Sequence, residues 1–356
     1  MKFSRTTGAT GAMVVGLALA GVSGVAVAKS AGPDTMPATP RFVVLPAKHP
    51  EQIKPNTGLT TWNFSYTYKT KNYTDTFVGT NPKNGAPTTT PVFIVPIAIH
   101  IGTETFSTST AQGNGQTALA DTVGSPIFQN NVKFVEGSKK LGKTQYEDAY
   151  QRESFFKDIK KNGGYHILLG QPTVLPEVTL SPTGSQGKVG SEFGVHVALV
   201  DINWLDGQVN AIIAANPQIT PGAVPIFVLY DTYETEGGCC IGGYHSTTGA
   251  QTYMLFDYVG TPGAFSQDVS ALSHEMGEWM NDPFTNNNSP CGIYETGDPL
   301  EREANYGGYP YVVNGLMTYN LQDLALPPYF GAPASTTLDG RATFQGTVLS
   351  VCQNGA

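Results

Sequence analysis

One segment, residues 267 to 281, constrains the fold more than any other, because its pattern predicts a helix with two different faces. The apolar residues recur at helical spacing and form one stripe. They are Val269, Leu272, Met276, Trp279 and Met280. His274 and Glu278 lie on the opposite side, and Glu275 lies nearer the edge of the stripe. The helix is therefore expected to pack by one side and to present an imidazole and carboxylates from the other.

Local signals set the ends of this helix. Ser266 is the predicted N-cap residue, and Asp268 suits the positive end of the helix dipole. Asp282 and Pro283 supply the stop signal.

The spacing of the polar residues on this helix predicts a metal site. Residues four apart lie one above the other on a helix, so His274 and Glu278 can hold one ion. Glu275 then points beside the ion, where zinc hydrolases place the general base that deprotonates a metal-bound water. The usual second ligand of such motifs is His, and Glu278 takes its place here. Zn²⁺ fits best, and a harder divalent ion is the alternative.

A catalytic zinc has three protein ligands, so a further group must come from outside the helix. Glu295 and Asp298 are the best candidates, because they follow the helix after a short loop. Asp282 lies closer but can simply hold a loop, and Glu301 and Glu303 can support the ligands or form a charged edge. The alternatives are an exposed, metal-free helix face and turn carboxylates that only bind backbone N–H groups.

A second chemical candidate is His245, which follows a glycine-rich stretch with two adjacent cysteines at residues 237 to 246. This stretch is interpreted as a shaped loop. His245 can complete the metal shell or act as an acid or electrostatic donor at a reacting carbonyl; the alternative is a buried His with a structural hydrogen bond. Four tyrosines could stabilise an oxyanion, and none is singled out. They are Tyr294, Tyr306, Tyr309 and Tyr319.

The N-terminal region predicts export. Residues 1–28 combine two basic residues, an apolar stretch and a small-x-small cleavage site, which is typical of a signal peptide. Residues 29–58 are proline-rich and predict an extended arm, and 59–356 predict a single large domain. Loss of the signal peptide changes the formal charge from −8 to −10, which argues against nucleic acid as a partner. No later segment is apolar for long enough to span a membrane.

The order of the predicted elements indicates an α+β fold. The content of 41 Gly and 25 Pro, with only 13% charged residues, indicates a loop-rich fold of strands and few helices. Helices are predicted at about 145 to 161, 204 to 215 and 267 to 281. Strands are predicted at 61 to 69, 91 to 101, 164 to 170, 176 to 181, 194 to 200, 224 to 230 and 252 to 258.

Four cysteines in an exported chain predict disulfides. Adjacent cysteines rarely bond to each other, so Cys239 and Cys240 are expected to reach Cys291 and Cys352 separately. A zinc–thiolate cluster is the alternative, and the lack of Cys-x-x-Cys spacing argues against it.

Three motifs carry a resemblance: a Cys-x-Gly-Tyr-His-like stretch at residues 240 to 245, Ser-His-Glu-x-x-Glu at 273 to 283, and Glu-x-x-Asp at 295 to 298. The first contains one additional glycine. Together they resemble the phosphate-induced or exordium-like secreted proteins and related bacterial proteins. Residues 144 to 152 also resemble a segment of the bacterial proteins. The resemblance covers the second half of the chain well and the first half weakly.

This resemblance implies a zincin-like mixed sheet with an active-site helix. It also implies that His274, Glu278 and one of Glu295 or Asp298 bind the metal, with Glu275 as the base.

The resulting hypothesis is a secreted zinc peptidase that acts on a peptide or protein substrate, in which His245 or a tyrosine stabilises the oxyanion. The alternative is a non-catalytic extracellular protein with a structural ion that binds glycan or a partner protein. A third possibility is a chain without a metal.

Overall fold

Strands dominate the described part of the chain. The structure is a computed structural model that describes residues 39–48, 53, 58–136, 139–159, 163–288, 294–313, 317–327, 330, 340–343 and 348–350. The helices are α1 Ala118–Gly124, α2 Tyr146–Ser154, α3 Phe156–Ile159, α4 Ile202–Ala215 and α5 Ser270–Asn281. The strands of the first half are β1 Arg41–Val44, β2 Thr61–Tyr68, β3 Lys71–Val78, β4 Pro87–Thr90, β5 Val92–Ile101, β6 Glu104–Phe106, β7 Val132–Glu136, β8 Lys139–Thr144, β9 His166–Leu169, β10 Thr173–Val174 and β11 Val178–Leu180. Those of the second half are β12 Gly187–Glu192, β13 Val195–Asp201, β14 Val224–Tyr230, β15 Thr232–Thr235, β16 Cys239–Thr248, β17 Gln251–Tyr258, β18 Gly308–Val313, β19 Met317–Gln322, β20 Ala325–Leu326, β21 Gly340–Thr343 and β22 Val348–Ser350.

Eleven of these strands form one mixed sheet. Its main order is β10-β5-β14-β17-β16-β15-β13-β12, with β1 also paired to β16 and with β6 and β11 paired to β5. Strands β5, β14 and β17 are parallel neighbours, whereas β16 runs antiparallel to β17. All the described residues belong to one compact unit. The predicted combination of α and β elements in a mixed sheet is confirmed at this level.

Helices cover both faces of the sheet. Along β14, Ile226 and Val228 join the apolar cluster that contains α5, while Phe227 and Leu229 join the cluster that contains α4. This alternation explains why β14 is apolar at successive positions, since a strand covered on both faces has no solvent side. The sheet therefore holds α5 in a fixed position against its inner strands.

Helix α5 confirms the predicted apolar stripe but begins later than expected. All five stripe residues lie in the same core cluster. Ser266 is not the N-cap residue, because α5 begins at Ser270 after a turn in which Ser266 and Asp268 have positive φ angles of 61° and 45°. The Ser266 hydroxyl instead donates to the backbone carbonyl of Asp257 at 2.6 Å. The cap prediction was wrong because this hydroxyl joins the turn to the sheet.

The predicted loop at residues 237 to 246 is largely a strand, since β16 spans Cys239–Thr248. Glycine occurs in this strand because neighbouring atoms approach its backbone closely. A Cβ on Gly242 would lie 2.8 Å from the Phe265 ring, and one on Gly243 would lie 2.9 Å from the Leu255 carbonyl oxygen. The glycines therefore let neighbouring groups pack directly on β16.

The other predicted elements agree with the structure within a few residues. The predicted helix at 145 to 161 is divided into α2 and α3 at Phe155. The seven predicted strands correspond to β2, β5, β9, β11, β13, β14 and β17. The strand β1 and the helix α1 were not predicted.

The described part of the predicted arm lies along the sheet. Strand β1 pairs in parallel with β16, with Arg41 opposite Ile241 and Val44 opposite His245. Four residues further on, Lys48 forms an ion pair with the buried carboxylate of Asp206. The predicted signal peptide lies outside the described residues and stays a prediction.

The expectation that Cys239 and Cys240 pair with remote cysteines was wrong. Cys239 and Cys240 form a disulfide with each other. Their Cα atoms lie 3.0 Å apart, which is close enough for the two sulfur atoms to meet. The predicted partners, Cys291 and Cys352, lie outside the described residues.

Among the residues that the structure describes, no helix combines the length and apolar character needed to cross a bilayer.

Candidate metal centre

Helix α5 is buried on every side. His274, Glu275 and Glu278 are all fully inaccessible to solvent, as are the stripe residues opposite them. The alternative of an exposed polar helix face is therefore wrong. Buried imidazole and carboxylate groups must find partners within the protein or on a bound ion.

The imidazole of His274 is oriented by Gln322, a buried residue of β19. His274 Nδ1 lies 2.9 Å from Gln322 Oε1, while Gln322 Nε2 donates to the Gly297 carbonyl oxygen at 3.1 Å. Because the amide nitrogen is used there, Oε1 is the acceptor and His274 Nδ1 carries the proton. His274 Nε2 then faces Glu278 Oε1 at 3.0 Å and Asp298 Oδ1 at 3.4 Å. This is the tautomer that a metal ligand requires.

Glu278 lies between two histidines. Its Oε1 atom accepts the backbone N–H of Gly297 at 3.0 Å and faces His274. Its Oε2 atom lies 3.8 Å from His245 Nδ1 and has no hydrogen-bond partner. The two oxygen atoms of this carboxylate thus lie in different environments, one beside each histidine.

Glu275 and His245 form a buried pair. His245 Nδ1 lies 3.0 Å from Glu275 Oε2, whereas Glu275 Oε1 has no hydrogen-bond partner. Strand β16 supplies His245 and α5 supplies Glu275, and the two elements pack directly here, since a Cβ on Gly243 would lie 3.4 Å from Glu275 Cγ. His245 is thus next to the predicted base.

The segment after α5 closes the centre from the other side. Glu295 and Asp298 both lie close to Glu278, as the sequence predicted for a chain that reverses over the helix. The Asp298 side chain is 25% exposed, so the centre reaches solvent on this side. Glu301 is partly buried and accepts the backbone N–H of Phe42.

Two residues cover His274 closely. A Cβ on Gly297 would lie only 2.2 Å from His274 Nδ1, so glycine is required for the segment to pass over the ring. On another side, the Phe42 ring of β1 lies 4.1 Å from the His274 ring between centroids. The arm and the segment after α5 therefore both fix this imidazole.

Burial dominates the electrostatics of the carboxylates. Removal from water raises the pKa of Glu275, Glu278 and Glu295 well above the usual range, and the negative charges around them contribute further. For Glu301, burial and then the charge of Asp298 raise the pKa to about 7. A cation at the centre would reverse these shifts, because it favours the ionised carboxylates.

The two histidines differ in their pKa values. Burial, and then the charge of His274, lowers the pKa of His245 to about 3, so this imidazole is neutral. Burial also acts to lower the pKa of His274. The hydrogen bond to Asp298 and the charge of Glu275 outweigh it and raise that pKa to about 9. A proton on His274 Nε2 thus occupies the position that a metal ion would take, since metal binding releases ligand protons.

The residues fit a divalent cation. Three overlapping groups offer ligand atoms that lie within 4.8 Å of one another: His245, Glu275 and Glu278; His274, Asp298 and Glu301; and Glu278, Glu295 and Asp298. Bonds of about 2.1 Å at tetrahedral angles separate ligand atoms by about 3.4 Å, which the measured 3.0–3.8 Å brackets. Buried atoms without hydrogen-bond partners point to the same conclusion. They are Glu275 Oε1, Glu278 Oε2 and Glu295 Oε1.

Other sequence candidates lie outside these ligand groups. The Asp282 carboxylate accepts the backbone N–H groups of Asn286 and Asn287 at 2.9 and 3.0 Å, so it holds the loop after α5. Tyr294 donates its hydroxyl to Asp75 at 2.6 Å. Glu303 is exposed. No oxyanion role for a tyrosine follows from these contacts.

The sequence did not predict the residues that orient the ligands. Gln322 and Phe42 carry no local signal, because their roles depend on strands that approach α5 from distant parts of the chain. Gly297 lies between the predicted ligands Glu295 and Asp298 in the sequence. The need for glycine at this position becomes clear only from its close approach to His274 in the structure.

Comparisons of the chain with protein-family models, with curated proteins and with solved structures gave no match. The family resemblance of the three motifs therefore stays a prediction.

Proposed function

We propose that this protein is a secreted, metal-dependent hydrolase with a zincin-like centre that cleaves peptide bonds. One observation carries the proposal: His274 and Glu278 of one helical turn converge with Asp298 of the following segment at 3.0 and 3.4 Å from His274 Nε2. This ligand chemistry suits Zn²⁺. A divalent ion at this position supplies Lewis-acid polarisation of a carbonyl and makes water more acidic.

The protein's own residues have separate roles in this proposal. His274 and Glu278 bind the ion, with Asp298 and Glu295 as the carboxylates that complete its shell. Gln322 keeps His274 in the tautomer that binds. Glu275 takes a proton from water as the general base. Its Oε1 atom has no hydrogen-bond partner and is therefore available to accept that proton. His245 orients the other oxygen of Glu275 through the 3.0 Å contact.

A structural ion is the second candidate function, and the burial of the centre favours it. His245, His274, Glu275 and Glu278 are inaccessible to solvent, as expected for a site closed by protein ligands. In this case the protein would act as an extracellular binding protein for glycan or a partner. The partial exposure of Asp298 favours the catalytic function, because it gives the centre one side open to solvent.

The test combines metal content with activity. Elemental analysis of the purified protein is expected to show bound zinc or a similar divalent ion, and a peptide library is expected to be hydrolysed. Glu275→Gln should retain the metal and lose about 10²–10⁴-fold in rate, as expected for loss of a general base. Bound metal with no hydrolysis by the native protein supports the structural ion instead. Absence of metal after reconstitution refutes both.

A further inference from the structure

The two oxygen atoms of Glu278 face different histidines. Oε1 lies 3.0 Å from His274 Nε2, and Oε2 lies 3.8 Å from His245 Nδ1 without a hydrogen-bond partner. A carboxylate that bound one ion with both oxygens would direct them to the same side. This carboxylate instead separates two sets of ligand atoms.

Each of these sets contains a histidine and a further carboxylate. On one side, His245 Nδ1 lies 3.0 Å from Glu275 Oε2. On the other, His274 Nε2 lies 3.4 Å from Asp298 Oδ1, and Glu301 belongs to the same group. Both sets have the spacing of atoms that share a metal ion.

When all its carboxylates are ionised, as a bound cation favours, the charge of the centre exceeds what one ion can neutralise. The overlapping ligand groups contain five carboxylates, which carry a formal charge of −5 when ionised. They are Glu275, Glu278, Glu295, Asp298 and Glu301. Among the described residues, His245 and His274 contact these carboxylates, and Arg302 acts on Glu301 at longer range. One dication leaves a formal charge of −3 in a largely buried site, and two leave −1. Buried charge of one sign is costly unless it is paired.

We propose that the centre binds two divalent cations, bridged by the Glu278 carboxylate. His245 and Glu275 hold one ion, and His274, Asp298 and Glu301 hold the other, with Glu295 beside the bridge. Two-metal hydrolytic sites commonly place their ions about 3.5–4 Å apart, a separation that one bridging carboxylate spans. The second set has more oxygen ligands than the first, so it accepts the harder ion, such as Mn²⁺. This inference rests on the proposed metal-dependent function and adds a second ion to it.

The two-ion centre changes the part assigned to Glu275. With both ions bound, Glu275 is a ligand through Oε2, and only Oε1 remains to accept a proton. The metal content of a Glu275→Gln variant therefore distinguishes the two arrangements. If Glu275 is only a base beside a single ion, the metal content of the variant equals that of the native protein. If Glu275 is a ligand of a second ion, the metal content falls by one equivalent.

The experiment measures stoichiometry rather than activity. Metal-free full-length protein is titrated with Zn²⁺ and, separately, with Mn²⁺, and bound ions are counted by elemental analysis after dialysis. Two equivalents per chain are expected. With Mn²⁺, electron paramagnetic resonance should show two exchange-coupled ions rather than isolated ones.

Variants assign the ions to the two sets. Glu301→Gln and His245→Asn should each reduce the content from two equivalents to one. The exposed neighbour Glu303 provides the matched control, and Glu303→Gln should retain two. Circular dichroism of each variant checks the fold, and the native stoichiometry decides the question even where a variant does not fold.

The outcomes separate this inference from the proposed function. One equivalent in the native protein overturns the two-ion centre and leaves the single-ion hydrolase intact. Two equivalents without magnetic coupling overturn the Glu278 bridge. No bound ion overturns the two-ion centre together with the proposed function.

Discussion

At the scale of single residues, the geometry of the proposed ligands depends on groups that are not proposed ligands themselves. Gln322 sets the tautomer of His274 through one hydrogen bond of 2.9 Å, and it is held in turn by the Gly297 carbonyl. Gly297 also donates its N–H to Glu278, and its carbonyl holds the Gln322 amide that contacts His274, so it supports both proposed ligands of α5. Such supporting contacts determine how tightly a metal site binds.

Gly297→Ala should weaken metal binding about 10–100-fold, the range found when supporting groups of metal ligands are lost. The added Cβ would lie 2.2 Å from His274 Nδ1, so the ring or the segment must shift. The measurement is a competition titration against a chelator of known affinity. Gly113→Ala is the control, because its added Cβ would have no atom within 4 Å. Equal affinities of the two variants would contradict the role of the close approach.

Asp268 predicts a pH dependence of stability. Burial raises its pKa from 3.8 to about 7, although hydrogen bonds from Asn320 and Val269 oppose this shift. The folded protein therefore binds one more proton than the unfolded chain between about pH 4 and 7. Stability falls as the pH rises through this window, by up to about 4 kcal/mol for a shift of this size.

Asp268→Asn should remove this contribution. Urea unfolding at pH 5 and pH 8 is expected to show a smaller loss of stability for the variant than for the native protein. Glu303→Gln, at an exposed acid, should leave the native difference unchanged. If Asp268→Asn loses as much stability between the two pH values as the native protein, the carboxyl does not titrate in this range.

At the scale of elements, β1 links the N-terminal arm to the centre. Its Phe42 ring packs on His274, and its backbone N–H binds Glu301, so two members of the ligand groups contact one short strand. The described part of the arm, residues 39–48, is held at both ends, by backbone hydrogen bonds between Thr39 and the Cys239–Cys240 pair and by the Lys48–Asp206 ion pair. We expect this strand to slow exchange of the ion with solvent.

Phe42→Leu should speed the release of metal to excess chelator. A loss of about 1.4 kcal/mol in the closure of the centre corresponds to a tenfold faster release. Phe106→Leu is the matched control, since Phe106 is buried to a similar extent in the other apolar cluster. Equal release rates for the two variants would show that β1 does not control access.

At the scale of the whole molecule, the bound ion should contribute to global stability, because the seven ligand-group residues come from β16, from α5 and from the segment after it. At about 100 times the dissociation constant, an ion adds about 2.7 kcal/mol. Chelation should then lower the melting temperature by about 5–10 °C. Differential scanning calorimetry with and without chelator measures this shift, and chelator saturated beforehand with the same ion that the protein binds is the control. An unchanged melting temperature would indicate a chain without a metal.

The same distribution of ligands explains what could be predicted from the sequence. The stripe of α5 and the positions of His274 and Glu278 follow from local helical spacing, and the structure brings Glu295 and Asp298 to them. Strand β16 was missed because Gly242 and Gly243 have low strand propensity, and their reason lies in the atoms packed on them. Gln322 could not be predicted, because its contact depends on the position of β19 relative to α5.

The pairing of β1 has a consequence for the order in which the chain folds. Arg41 meets Ile241, a residue 200 positions later, so β1 has no partner until most of the chain has been synthesised. Contacts between such distant segments carry a high loop-closure entropy and form late. We therefore expect Phe42 to reach His274 after α5 and β16 have assembled. The proposed ligands would then be in place for an interval before β1 covers them, and an ion could enter during that interval.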